Sequence, residues 1–208
     1  MLKNMKWAAV FAFALLVTLT AVAQEVPKFE VPVGFSFVNV HPDLSPITSF
    51  NVFGGGGGFV YNVTPWIGIK ADFQGYTQGS GLRNQLQSQG FAGQVNGNVF
   101  TYLFGPQIKK HSGKLQPFGQ ALFGAAHSNL YASILTDEGR ITSGSSNNNA
   151  FAMEFGGGLD IPVTRTIQLR PVEVDYLYTR FGVNGTSYTG NQNNFKYVAG
   201  VNFTFGGK

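Results

Sequence analysis

Three histidines, His41, His111 and His127, are the side chains of this chain whose ordinary chemistry moves protons near neutral pH. Hydrolysis or acyl transfer would need one of them within hydrogen-bond reach of a serine or a carboxylate. His41 stands beside Pro42 with Asp43 close by, His111 lies in the basic stretch KKHSGK, and Ser128 follows His127 directly. Neighbours along a strand point to opposite faces, so His127 and Ser128 cannot act together if that segment is extended. All three are read as loop or lumen histidines, and no catalytic residue is assigned. The chain has no cysteine and no metal-ligand spacing, so no disulfide framework, metal centre or other cofactor is expected. The glycines at 54 to 58 invite a phosphate-loop reading, but such a loop opens a helix and carries a lysine and a hydroxyl at fixed spacing. FVYNV follows instead, so the run is read as a strand with a crowded interior.

The other candidates are charges placed at every second position, behind an apolar stripe. Lys70 and Asp72 alternate with Ile67, Ile69, Ala71 and Phe73, while Glu154 and Asp160 alternate with Phe151, Met153, Phe155, Leu159 and Ile161. Arg170, Glu173 and Asp175 follow in the next segment, with Arg180 near its far end. Lys196 backs the stripe Phe195, Tyr197, Ala199, Val201, Phe203 and Phe205. A period of two with an aromatic outer side and charges behind it suits a wall between lipid and a wet lumen. The eight residues Lys70, Asp72, Glu154, Asp160, Arg170, Glu173, Asp175 and Lys196 are therefore assigned to a polar network inside a barrel. The network is read as a static plug of paired charges, since buried charges persist only when paired and hydrogen-bonded. A gated ion path is the alternative.

Eight segments carry the alternation: 29–40, 51–63, 67–77, 97–108, 117–128, 151–163, 167–180 and 195–205. Long polar connections follow the first, third, fifth and seventh, including 78–96 and 129–150, and short ones follow the second, fourth and sixth. The short links are TPW at 64–66, KKHSGKLQ at 109–116 and TRT at 164–166. This order predicts an all-β, eight-stranded antiparallel transmembrane β-barrel, an up-and-down meander whose last strand pairs with its first. A ten-stranded variant would need a further hairpin within 129–150. Lipid offers no partner to an open edge, which is why the sheet must close. Short turns face the periplasm in outer-membrane barrels and long loops face outward, so both mature termini are expected to be periplasmic. Trp66 and Tyr188, near strand ends, suit interfacial aromatic girdles.

The short links also fix register. If TRT is a three-residue connection, Val163 faces Ile167 and Asp160 faces Arg170. In-out parity then fails at Pro171, where a bulge is expected, because a missing N–H is tolerated there. Beyond it Glu173 and Asp175 should lie across from Gly158 and Gly156. The same reasoning across TPW sets Asp72 opposite Gly58 and Gln74 opposite Gly56.

The ends and the composition agree with an exported barrel. Lys3 and Lys6 precede the apolar run at 7–20, and Ala21-Val22-Ala23 precedes Gln24, which reads as a signal peptide over 1–23 cleaved between Ala23 and Gln24. The barrel domain is then 24–208. Charged residues are only 12%, with 28 glycines and 20 phenylalanines, against about 25% charge in soluble domains. The formal charge is +4 for the whole chain. The densest basic run, Lys109, Lys110 and Lys114, is read as a solvated turn, and no nucleic-acid partner is expected.

The stretches YLFGPQI, LQPFGQALFGAAH, FGGGLDIPVTRTIQLRPVEVDYLYTRFG and the final strand resemble the small outer-membrane β-barrel family of Gram-negative bacteria, the group related to the transmembrane domain of OmpA and to OmpX-like proteins. The resemblance spans essentially all of 24–208. It implies an integral outer-membrane location, outer-membrane lipids as surroundings, and periplasmic chaperones and the barrel assembly machinery as partners during biogenesis. Gly200, Phe203 and Phe205 match the terminal assembly signal of such proteins, while Val198 stands where a polar residue is usual and GGK extends past the terminal aromatic. The peptidoglycan-binding domain that follows the OmpA barrel is not expected. Some relatives modify lipid A, but the deacylase pattern places His and Ser two apart, unlike His127 and Ser128. The resulting expectation is a non-enzymatic, monomeric barrel serving envelope integrity or surface interaction, ahead of a narrow porin and of a lipid A-modifying enzyme.

Overall fold

A computed structural model describes residues 26–41, 49–78, 93–135, 141–182 and 189–207. The expected signal peptide with Ala23 and Gln24 lies outside these residues, as do Pro42, Asp43 and Tyr188. Eight strands run in chain order: β1 (Phe29–Val40), β2 (Phe50–Asn62), β3 (Ile67–Gln78), β4 (Gly93–Lys109), β5 (Gln116–Leu135), β6 (Ile141–Pro162), β7 (Ile167–Gly182) and β8 (Thr189–Phe205). Each pairs antiparallel with the next, and β8 pairs with β1 to close the barrel. At the seam Phe29 faces Phe205 and Asn39 faces Phe195.

Alternation decides which side chain goes where. Phe35, Phe59, Ile69, Phe73, Phe104, Phe123, Phe151, Phe155, Phe195 and Phe205 point outward and are exposed, whereas Glu30, Lys70, Asp72, Glu154, Asp160, Asp175 and Lys196 point inward and are buried. The apolar face is outside and the ionic face inside, the inverse of a soluble barrel. Outside, rings pack across strands, with Phe73 against Tyr102 and Phe104 and with Phe123 against Phe155. Trp66 is exposed at the turn end. Such a surface is stable in hydrocarbon, and a closed sheet leaves no unpaired edge there.

Two hairpins share one turn design. Val63 N and Thr64 N both donate to Ile67 O, and Val163 N and Thr164 N both donate to Ile167 O. The Thr64 and Thr164 hydroxyls accept from the amides of Ile67 and Ile167 in the same way. Each hairpin then sets glycines against long polar side chains. Asp72 lies across from Gly58 and Gln74 from Gly56, while Glu173 lies across from Gly158 and Asp175 from Gly156, as the three-residue links predict. A β-carbon on Gly56 would stand 2.7 Å from Gln74 Oε1, so the glycine is what lets that side chain lie over its neighbour strand. The register slips by one residue between Arg170 and Glu173, which is the bulge expected at Pro171. Tyr197 Oη, on the outer face, donates to the Pro171 carbonyl at 2.7 Å.

The strands differ from expectation in length on the side away from these turns. The connection expected over 129–150 is largely strand, because β5 and β6 stay paired out to Leu135 and Ile141. β4 likewise begins at Gly93, within the connection expected over 78–96. There is no room for a further hairpin, and the sheet has eight strands. The polar run GSSNNN carries no apolar stripe because this part of the sheet lies beyond the aromatic belt, which ends on β6 at Phe151. Pairing to β5, rather than its own periodicity, holds it extended.

Candidate functional site, the barrel lumen

The lumen is stacked in tiers. Nearest the short turns, Lys109 Nζ lies 2.5 Å from Glu30 Oε2 and 2.7 Å from Asp160 Oδ2, and donates to Gln168 Oε1 at 2.8 Å. Asn202 Nδ2 donates to Glu30 Oε2 at 2.5 Å, and Asn62 Nδ2 donates to Glu30 Oε1 at 2.8 Å. His111 reaches in from the β4–β5 turn, with Nε2 at 2.8 Å from Glu30 Oε1 and Nδ1 at 2.7 Å from the Pro65 carbonyl. It ties three elements together at the mouth.

Arg170 links this tier to the next. Its Nε and Nη2 grip Asp160 at 2.7 and 2.9 Å, and Nη1 donates to Glu173 Oε2 at 2.6 Å. The guanidinium also lies 4.1 Å from the Phe118 ring centroid. A bidentate pair with a stacked ring holds Arg170 in one orientation.

In the middle tier Lys70 Nζ is 3.0 Å from Asp72 Oδ1 and 3.5 Å from Glu173 Oε1. Lys196 Nζ is 2.7 Å from Glu154 Oε2 and 3.2 Å from Asp175 Oδ2. Gln120 stands at the hub, donating to Glu173 at 2.8 Å, Asp175 at 2.9 Å and Glu154 at 3.2 Å, and accepting from Lys70 at 3.0 Å. The carboxylates of Glu154, Glu173 and Asp175 converge closely enough to resemble a cation site in outline. Lys196, Lys70 and Gln120 stand against these carboxylates as ion-pair or hydrogen-bond partners, so the geometry is that of an internal salt bridge.

All eight sequence-assigned lumen residues thus lie in one network, to which every strand contributes. The sequence reading missed Glu30, Lys109, His111, Gln120, Gln168 and Asn202. Lys109 is a correction: it is not part of a solvated turn but is buried at the end of β4, with 2% of its surface exposed. Its parity with Gln107 on β4 was the available signal, since both fall on the inward phase of the strand. Lys110 and Lys114 are exposed, as expected of a turn.

Apolar patches line the lumen beside and beyond the middle tier, with Gln74, Thr101, Thr179 and Asn194 buried among them. Leu103, Leu122, Ala126, Ala150, Ala152 and Leu177 form one buried cluster, and Val38, Val52 and Tyr76 form another.

His111 meets a carboxylate, Glu30, which is also held by Lys109, Asn62 and Asn202. His127 Nδ1 contacts Asn149 Oδ1 at 2.6 Å, and the backbone amide of His41 donates to Asn194 Oδ1 at 3.2 Å. Among the described residues no histidine is hydrogen-bonded to a serine or an aspartate. Of the assembly-signal residues, Phe203 and Phe205 face outward, and Gly200 packs against the Val33 backbone at the seam.

Residues 9–205 match the family model described as outer membrane protein beta-barrel domain. No curated protein sequence matches the chain. Among solved structures, neisserial surface protein A is similar at 15% identity, covering 86% of this chain and 97% of its own, with a TM-score of 0.58. Ail, the attachment invasion locus protein of Yersinia pestis, is similar at 15% identity over 86% of this chain and 99% of its own, with a TM-score of 0.54. At such identity these two speak for the fold alone.

Proposed function

The chain belongs to the outer membrane protein beta-barrel domain family, an integral outer-membrane barrel, and from that premise we propose that it is a non-enzymatic, monomeric scaffold whose lumen is a permanent plug. Its role on this reading is envelope integrity or surface interaction, carried by the strand extensions and connections at the end away from the short turns. One observation supports the plug: four cations, Lys70, Lys109, Arg170 and Lys196, are each paired with carboxylates inside a buried lumen, Lys109 reaching across it to Glu30 on β1 and Lys196 to Glu154 on β6. Separating any of these pairs costs several kcal/mol, which keeps a path from opening by thermal motion. The short turns and both termini face the periplasm. Gly200, Phe203 and Phe205 present the assembly machinery with a terminal strand, after periplasmic chaperones have delivered the unfolded chain.

Planar-bilayer recording of the purified protein tests the plug. Silence is expected, and steady large conductance would sink the proposal. A narrow gated channel is the second reading, favoured by one feature. Gln74 and Gln107, along the β3–β4 wall, carry buried polar atoms with no hydrogen-bond partner among the described residues. Such atoms are ordinarily satisfied by water, which would wet that side of the lumen.

A further inference from the structure

All the carboxylates among the described residues, Glu30, Asp72, Glu154, Asp160, Glu173 and Asp175, are buried in the lumen. Among the described residues the exposed charges are therefore cations alone. Lys28, Lys110, Lys114, Arg165 and Arg180 are exposed, and none forms an ion pair with a described residue. Their distribution is uneven. Lys28 precedes β1, Lys110 and Lys114 lie in the β4–β5 turn, and Arg165 lies in the β6–β7 turn, so four of the five stand at the short-turn end. Arg180 stands at the other.

Each of the four has large exposed apolar neighbours. Lys28 adjoins Phe29, and its Nζ lies 5.0 Å from the Tyr61 ring centroid. Ile108 and Leu115 bracket Lys110 and Lys114, and Val163 and Ile167 bracket Arg165; all four apolar side chains are exposed. Trp66 and Val63 continue the rim where the β2–β3 turn carries no cation. Side chains such as Leu115 and Val163 are at rest only in hydrocarbon, which sets the depth of the rim. The cationic heads beside them then reach the level of the lipid phosphates, their stems lying along the apolar surface. A cation near an anionic membrane surface gains about 1 kcal/mol there, and the gain is greater for lipids with net charge than for zwitterions.

We propose that the short-turn rim is a docking ring for anionic phospholipid headgroups, in which Lys28, Lys110, Lys114 and Arg165 engage the phosphodiester. The ring rests on the membrane reading of the fold but not on which leaflet the turns face. Arg165 offers a planar fork to two phosphate oxygens, and the lysines offer point charges.

The test places the purified full-length protein in phosphatidylcholine nanodiscs with phosphatidylglycerol as a minor component and measures retained lipid by native mass spectrometry. Phosphatidylglycerol should be enriched around the wild type. Enrichment should fall by up to about fivefold for each cation removed in a cumulative series of K28Q, K110Q, K114Q and R165Q. The corresponding lysine-to-arginine variants should retain it, and R180Q should leave it unchanged. Equal enrichment in the fourfold variant, or none in the wild type, would overturn the ring. So would release of the lipid by inorganic phosphate beyond that caused by chloride at the same ionic strength, since the site would then bind the free ion. Heat-modifiable migration on gels verifies that each variant is closed. The single R165Q change, in a turn held by Thr164, carries the comparison if the fourfold variant does not close. Labelling of S112C on intact cells tests the leaflet separately, so failure of the topology and failure of the ring are distinguishable.

Discussion

Lys109 and Lys110 are consecutive, yet the first is locked between Glu30 and Asp160 while the second faces outward at the rim. Replacing Lys109 by Met leaves Glu30 without its lysine, whereas Asp160 keeps the bidentate grip of Arg170. The loss should fall at the lower end of that for breaking a buried pair, about 3 kcal/mol. Lys110→Met should change stability by less than about 0.5 kcal/mol. Urea titration of the folded gel band compares the two, and equal midpoints would place Lys109 in solvent after all. Tyr197 makes a different kind of contact, donating its hydroxyl to the bulge carbonyl of Pro171 on the lipid side. Tyr197→Phe strands that carbonyl in hydrocarbon, and a loss of about 1–3 kcal/mol is expected in lipid vesicles. The same change should matter less in detergent, where water reaches the bulge.

At the scale of the strand, β7 holds one residue more than alternation needs. Deleting Pro171 restores a regular period and keeps Arg170, Glu173 and Asp175 pointing inward, so a closed barrel should still form. Deleting Val174 instead turns a carboxylate to the lipid side, Asp175 if the bulge stays or Glu173 if it is lost, and assembly should fail. Heat-modifiable migration reads both outcomes, and a folded Val174 deletion would refute the register. This bulge was legible in the sequence because Gln168 and Arg170 have opposite parity to Glu173 and Asp175. The in-out assignment of β1, β2, β3, β6 and β8 was legible for the same reason, since a stripe facing lipid cannot be polar. The extensions of β4, β5 and β6 were not. Outside the bilayer both faces of a sheet are wet, so the Ser, Asn and Gly of β4 and β6 there carry no alternation and resemble a loop. Glu30 and Lys109 were legible by parity too, Glu30 between Phe29 and Val31 and Lys109 in phase with Gln107, but each is a single charge at the end of its strand. The likeness of the β2–β3 and β6–β7 hairpins, with Val-Thr and Ile at matching places in both turns, was present in the letters but shows as a shared design only once the hydrogen bonds are drawn.

At the scale of the whole molecule, closure rests on β1 meeting β8. Phe35 and Ala199 are direct partners there, and both side chains face outward. A Phe35→Cys, Ala199→Cys variant should therefore cross-link under mild oxidation, and only in the folded, fast-migrating band. A Phe35→Cys, Phe155→Cys control, with partners on separate strands, should not. Cross-linking of the control alone would mean another strand order. The seam is also crossed inside, where Asn202 donates to Glu30 over a separation of 172 residues. That bond sets a schedule. Seven strands can be made and exported while Glu30 still lacks a partner from the eighth, so the unfinished chain carries an unmet carboxylate and a raw sheet edge until β8 arrives. The time at risk is thus governed by delivery of the final strand, and a delay in its arrival leaves every earlier strand waiting.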